Sequence, residues 1–94
     1  MKDEEQMVEH FKCIDSRIYE LLMDNKKFGK EELLDTGRQT SGYNACEDGF
    51  YIPTTKKIED CILNELKKDT EKHCNLKVTL KMIKENKWLK ITFE

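Results

Sequence analysis

The stretch of residues 76–93, LKVTLKMIKENKWLKITF, decides the fold. Apolar and polar residues alternate on both sides of a polar turn, which is the period of a strand with one buried face. An isolated hairpin is marginally stable in water, so these two strands need cover from helices or from a partner. The buried face is predicted to carry Leu76, Val78, Leu80, Met82, Leu89, Ile91 and Phe93.

The turn of this hairpin has two possible positions. A two-residue turn at Glu85-Asn86 or at Asn86-Lys87 keeps both apolar sets on one face, because side chains alternate between faces along a strand. The first position places Lys81 opposite Lys90, and like charges that face each other cost stability. The sequence leaves both registers open.

The first helix is predicted from apolar residues that recur at steps of three and four along residues 7–22, the spacing of one helix face. Asp3 followed by Gln6 fits a capping box, in which a side-chain acceptor satisfies free amides of the first turn. Asn25 is the expected end of this helix. The apolar stripe consists of Met7, Phe11, Ile14, Ile18, Leu21 and Leu22.

Two further helices are expected. A short one over residues 30–36 would end at Gly37, since glycine is common just after a helix C-terminus. A longer one would be capped by Thr54 or Thr55 and end near residues 73–75. The apolar line of the longer helix consists of Ile58, Ile62 and Leu66, with Leu63 and His73 on the same side.

The segment between these helices contains Asp48-Gly49, a hairpin-turn signal because glycine tolerates positive φ. This turn would pair residues 43–47 with residues 50–53, and the alternative is a loop over residues 37–49 that runs into one short strand. With the hairpin, the order of elements is α-α-β-β-α-β-β. We expect one α+β domain over residues 1–94, with two main amphipathic helices packed on a small antiparallel sheet.

Charge restricts the class of partner. The chain has 94 residues, with 17 Lys and Arg against 19 Asp and Glu, a formal charge of −2. Residues 1–25 carry three basic and seven acidic side chains, whereas residues 76–94 carry five lysines and two glutamates. Dedicated nucleic-acid-binding domains are usually strongly basic, so nucleic acid would be contacted through the C-terminal lysines alone. The acidic first helix would suit a basic partner, although a solvated helix face is the more common outcome.

The sequence contains no run of about 20 apolar residues that would cross a bilayer. Acidic residues follow soon after Met1, where a secretory signal would carry basic and then apolar residues. We therefore expect a cytoplasmic protein without a membrane partner. Cysteines in a reducing compartment are usually free thiols.

Four cysteines and two histidines could hold a metal ion. His10 and Cys13 lie one helical turn apart, His73 and Cys74 end the longer helix, and Cys46 could replace one of them. Zinc takes four such nitrogen and sulfur donors in a tetrahedron. Because no CxxC pair or regular zinc spacing is present, free thiols and surface histidines are favoured, and we expect no cofactor. A zinc-stapled domain is the alternative.

The outer face of the predicted hairpin carries large apolar and basic side chains. Ile83 and Trp88, together with Tyr43, Phe50 or Tyr51, could form an exposed patch for a protein partner, or another segment could cover them. Lysines around an aromatic ring also suit nucleic acid, because charge holds phosphate and a ring stacks on a base. Platforms of that kind usually use two or three aromatics, and this hairpin has one. The basic candidates are Lys77, Lys81 and Lys90.

The sequence contains no nucleophile turn, phosphate-binding loop or paired carboxylates that would mark an enzyme, so we expect no catalysis. In its size and its Lys-, Glu- and Asn-rich composition, the chain resembles small accessory proteins of phages and mobile elements. That class includes anti-CRISPR proteins, which inhibit a host nuclease by occupying it. The resemblance implies an inhibitor that acts through protein–protein contacts, and oligomeric state is left open.

Overall fold

A computed structural model describes residues 4–23 and 33–93. These residues form two helices and a three-stranded antiparallel sheet, the mixed α+β arrangement that the sequence predicts. Asp3, Asn25 and residues 30–32 of the predicted short helix lie outside the described residues. The elements are α1 (Glu4–Met23), β1 (Gly49–Pro53), α2 (Asp60–Cys74), β2 (Val78–Ile83) and β3 (Trp88–Phe93).

The predicted hairpin provides two of the three strands, and β3 is the central one, with β1 and β2 on either side. Leu89, Ile91 and Phe93 of β3 are fully buried, as their alternation predicts. Ile91 pairs with Phe50 on one side and with Leu80 on the other. The buried apolar residues of all three strands therefore share one face, and the core lies between this face and the helices.

The hairpin turn adopts the first of the two predicted registers. Lys81 pairs with Lys90 across the strands. The turn covers residues 84–87 rather than the two residues predicted, and Lys84, Glu85 and Asn86 all have positive φ values, of 51°, 60° and 63°. The register that places Lys81 opposite Lys90 is formed despite the like-charge pair, with a longer turn than predicted.

Helix α1 confirms the predicted apolar stripe. Phe11 is half-buried, and its ring meets the Phe50 ring edge-on, with 4.6 Å between the centroids. This contact joins the helix to the apolar face of the sheet. The buried residues of α1 are Met7, Ile14, Ile18, Leu21 and Leu22.

Helix α2 begins later than predicted and ends where predicted. Thr54 and Thr55 do not cap it, because the helix starts at Asp60. Its last residue is Cys74, and Asn75 takes the left-handed conformation that commonly ends helices. The expected apolar line is partly confirmed, since Ile58 and Leu66 are fully buried, Ile62 and Leu63 are half-buried, and His73 is exposed.

The predicted short helix is wrong in the part that the structure describes. Residues 33–36 are extended and then turned, and Leu34 forms an isolated β-bridge with Thr54. The amide of Asp35 donates a hydrogen bond of 3.0 Å to the carbonyl of Pro53. Residues 33–36 therefore lie beside the end of β1, where their backbone groups contact Pro53 and Thr54. These backbone groups could not make the same contacts if they were hydrogen-bonded within a helix.

The predicted hairpin at Asp48-Gly49 is also wrong. Gly49 is the first residue of β1, and residues 45–48 form the turn, closed by one β-bridge between Asn44 and Gly49. No strand forms over residues 43–47, so the loop alternative is closer to the structure. A Cβ atom on Gly49 would lie 2.0 Å from the carbonyl oxygen of Ile91. This glycine allows close strand approach rather than a turn.

The two helices pack against each other in antiparallel directions. Cys13 of α1 forms a disulfide with Cys74 of α2, with 6.1 Å between their Cα atoms. Arg17 Nε lies 2.7 Å from Asp69 Oδ1. Because the later residue on α1 contacts the earlier residue on α2, the helix directions are opposed.

Candidate functional site

The outer face of the sheet points away from both helices and carries most of the predicted partner-binding residues. Tyr51 pairs with Lys90, and Lys90 pairs with Lys81, so the three side chains form one row across the strands. Side chains alternate along each strand, so the neighbouring rows on this face lie two residues away. We define the outer face as Tyr51, Pro53, Thr79, Lys81, Ile83, Trp88, Lys90 and Thr92.

Arg38 covers Trp88 on this face. The guanidinium carbon lies 4.8 Å from the centroid of the indole ring. Arg38 Nε donates to Asp35 Oδ2 at 2.6 Å, and Nη2 donates to the carbonyls of Thr54 at 2.6 Å and Lys87 at 3.0 Å. Three fixed acceptors therefore hold the guanidinium in place over the ring.

Tyr51 is the second aromatic ring of the outer face. The ammonium nitrogen of Lys84 lies 5.4 Å from the Tyr51 centroid and 5.8 Å from the Trp88 centroid. Lys90 Nζ lies 5.9 Å from the Tyr51 centroid. The Tyr51 hydroxyl donates to Glu47 Oε2 at 2.7 Å, and this hydrogen bond raises the pKa of the tyrosine. Lys84 therefore lies near both rings.

The outer face and its border include four cationic side chains and two carboxylates, Asp35 and Glu47, which hydrogen-bond to Arg38 and Tyr51. Arg38 binds Asp35, and the hydrogen bond from its guanidinium lowers the pKa of that carboxyl. Glu47 accepts from Tyr51. The cationic side chains on or over this face are Arg38, Lys81, Lys84 and Lys90.

Two aromatics predicted for the patch lie on the other side of the sheet. The Tyr43 ring is 5.4 Å from the Phe93 ring and 6.5 Å from the Phe11 ring, measured between centroids. Phe50 is fully buried in the core. The expected patch is therefore wrong for Tyr43 and Phe50, because each packs against α1, whereas Tyr51 lies on the same face as Trp88.

The disulfide corrects the expectation of four free thiols. Cys13 and Cys74 are bonded to each other, whereas Cys46 and Cys61 are free and exposed. The pairing follows from the antiparallel contact of α1 and α2, which the spacing of cysteines along the sequence did not indicate. Sulfurs joined in this way are not thiolates, so this pair would bind zinc only after reduction.

The remaining predicted metal ligands are dispersed. His10 lies with its ring 6.3 Å from the Phe93 ring, His73 borders a surface cleft with Arg17 and Asp69, and Cys46 lies in the turn before β1. Within residues 4–23 and 33–93, no group of three or more His, Cys, Asp or Glu side chains is placed to hold a metal ion.

Arg38 is the site residue that sequence reasoning missed. It lies in a polar, glycine-punctuated segment with no periodicity. Its partners Thr54, Lys87 and Trp88 are distant in sequence, so no local pattern connects them. The sequence predicts Tyr51 as a site residue, but the place of Tyr51 beside Lys90 depends on the pairing of β1 with β3.

Comparisons with protein-family models, curated proteins and solved structures give no match for this chain. In the part of the chain that the structure describes, neither helix is long and apolar enough to span a membrane.

Proposed function

We propose that the protein is a non-catalytic binding module that contacts a protein partner through the outer face of the sheet. The observation that carries the proposal is the stack of Arg38 on Trp88 beside Tyr51. Tryptophan, tyrosine and arginine are the residues most enriched at binding hot spots. Arg38 is already held by three acceptors, so little side-chain freedom is lost on binding.

The partner surface is acidic. Lys81 is exposed at one end of the row that contains Lys90 and Tyr51, and Lys84 is exposed beside both rings. Complementary charge speeds association and excludes partners of the same sign. Apolar side chains of the partner would contact Ile83 and Trp88, which are only half-buried.

Nucleic acid is the second candidate, because Tyr51 supplies the second aromatic ring that the hairpin alone lacks. Base stacking supports such contacts when ring faces are open. Here Arg38 lies over Trp88, and Lys84 and Lys90 lie close to Tyr51. A base would have to displace these cations, so the geometry favours a protein partner.

We also propose a cytoplasmic location and a role as an inhibitor that occupies its target, in keeping with the compositional resemblance. In a reducing compartment the Cys13–Cys74 pair is a dithiol unless it is protected from exchange. Rapid alkylation of extracts followed by mass spectrometry tests the location. Recovery of the protein in a non-cytosolic fraction, with Cys13 and Cys74 resistant to alkylation, would contradict it.

Photocrosslinking tests the binding surface. A benzophenone side chain replaces Thr79, which is exposed on the outer face, or, as the control, Lys68, which is exposed on α2. We expect one acidic protein to be crosslinked from position 79 and not from position 68. The crosslink is expected to fall at least tenfold when Trp88→Ala is added.

Equal crosslinking from both positions would reject the outer face. A gel-shift titration with a 20-nucleotide single strand, at low and at high salt, distinguishes nucleic-acid binding from protein binding. Nucleic-acid binding weakens steeply with salt. A shift at low salt that Lys81→Glu abolishes, without a crosslinked protein, would replace the protein partner by nucleic acid.

A further inference from the structure

The two edges of the sheet differ in whether another described segment runs beside them. Residues 33–41 run beside β1: the Ser41 amide donates to the Tyr51 carbonyl at 3.0 Å, and the Tyr51 amide donates to Ser41 Oγ at 2.7 Å. Strand β2 lies at the opposite edge and pairs with β3 alone among the described strands. Of the two edges, only that of β2 is available for another strand within the described structure.

The backbone groups of β2 alternate in direction, and one hydrogen bond shows which of them face outward. The amide of Val78 donates to Glu71 Oε2 at 3.0 Å, so it points away from β3. In an antiparallel strand, the N–H and C=O groups of alternate residues point to the same side. The N–H and C=O groups of Leu80 and Met82 therefore point outward.

The side chains at this edge have opposite character on the two faces. Leu80 and Met82 are half-buried against the core on the helix side. Lys81 is exposed on the outer face between them. Ile62 and Leu63 of α2 are also half-buried against this core, so the apolar layer is incompletely covered beside β2.

We propose that β2 accepts an extended acidic segment of the partner protein as a fourth strand. Four backbone hydrogen bonds to Leu80 and Met82 would hold the segment, the arrangement known as β-augmentation. Alternate apolar side chains of the segment would cover Leu80 and Met82, and the intervening acidic ones would pair with Lys81. The inference rests on the proposed function in taking the partner to be an acidic protein, and adds the extended conformation of the segment that binds.

A second copy of this chain is a poor occupant of the same edge. Antiparallel pairing of two β2 strands would bring Lys81 of one copy close to Lys77, Thr79 or Lys81 of the other, according to register. Like charges directly opposite each other are destabilising, and edge lysines are a common device against self-association. In the registers that place Lys81 opposite Lys77 or Lys81 of the other copy, the charge that attracts an acidic segment therefore repels a second copy.

The experiment uses the full chain and a capped peptide of four Glu-Val repeats, with four Lys-Val repeats as the matched control. In an amide-resolved NMR titration, we expect the acidic peptide to shift the Leu80 and Met82 signals and protect them from exchange. Lys81→Glu should weaken binding at least tenfold, whereas Lys68→Glu on α2 should leave it within twofold. The control peptide should not bind.

A backbone variant makes the test specific to the edge. Ligation at Cys74 allows N-methylation of the Leu80 amide, which removes an outward donor but no donor to β3. We expect at least a tenfold loss of peptide binding with unchanged β1 and β3 signals; if this variant does not fold, Lys81→Glu carries the test.

Absent shifts at Leu80 and Met82, equal binding of the Lys-Val peptide, or concentration-dependent dimerisation through these amides would overturn the inference. Loss of peptide binding does not affect the Trp88-dependent crosslink, so failure of the inference is distinguishable from failure of the proposed function.

Discussion

The guanidinium of Arg38 lies over the ring of Trp88, 4.8 Å from its centroid, and joins the loop before β1 to the start of β3. The same guanidinium binds Asp35 and the carbonyls of Thr54 and Lys87. One side chain thus holds two segments together and shapes the outer face.

Removal of this guanidinium should therefore lower the free energy of unfolding and change the environment of Trp88 on the outer face. We expect Arg38→Ala to lower the free energy of unfolding by about 2 kcal/mol, because charge-assisted hydrogen bonds and a cation–π contact are lost. Arg38→Lys should recover less than half of that loss, since ammonium lacks the planar fork. Trp88 is the only tryptophan, so its emission should shift in Arg38→Ala and not in Arg17→Ala. An unchanged spectrum would contradict the stack.

The Cys13–Cys74 disulfide should contribute strongly to stability. It joins residues 61 positions apart. Closing a loop of that length lowers the conformational entropy of the unfolded chain, which raises the free energy of unfolding by about 2–4 kcal/mol. Urea unfolding with and without reductant measures this difference. The double substitution of Cys13 and Cys74 by Ser should match the reduced protein, and Cys46→Ser should have no effect. Equal midpoints with and without reductant would show that the pair is not bonded.

Gly49 should tolerate no side chain. Its Cβ position lies 2.0 Å from the Ile91 carbonyl oxygen, so Gly49→Ala must separate β1 from β3. We expect a loss of about 3 kcal/mol, at the upper end of overpacking effects. Gly42→Ala is the control, because a Cβ there meets nothing within 4 Å. Thermal unfolding compares the two, and similar midpoints would contradict the close approach.

Asp15 should destabilise the protein at neutral pH. Burial raises the pKa of its carboxyl, and Oδ1 is buried without a hydrogen-bond partner. A pKa raised by folding means that stability falls as pH rises from the unfolded value, about 4, through the folded value. Asp15→Asn should therefore gain about 1 kcal/mol at pH 7, a figure reduced for partial exposure, and nothing below pH 3.

A gain that is equal at both pH values would assign the effect to packing instead of charge. Glu9→Gln, an exposed substitution on the same helix, controls for the change in net charge.

Local periodicity predicted the elements whose burial is repetitive. The apolar stripe of residues 7–22 predicts α1, and the alternation of residues 76–93 predicts the β2–β3 hairpin; both predictions are confirmed. In each element, the face on which a side chain lies follows from its position along the sequence. Trp88 faces outward for the same reason.

Elements defined by distant partners could not be predicted. Residues 33–36 form backbone contacts with Pro53 and Thr54, which override a weak helical preference. The pair Asp48-Gly49 predicts a turn, although the role of Gly49 depends on Ile91 across the sheet. The Cys13–Cys74 pairing likewise required the helices to be antiparallel.

The affinity of the crosslinked partner, measured by calorimetry for matched variants, tests the outer face most directly. We expect Trp88→Ala and Lys81→Glu each to weaken binding at least tenfold, about 1.4 kcal/mol or more, while Lys68→Glu stays within twofold of the unaltered protein. If Lys68→Glu weakens binding as much as Lys81→Glu, or if Trp88→Ala binds as tightly as the unaltered protein, the outer face is not the binding surface.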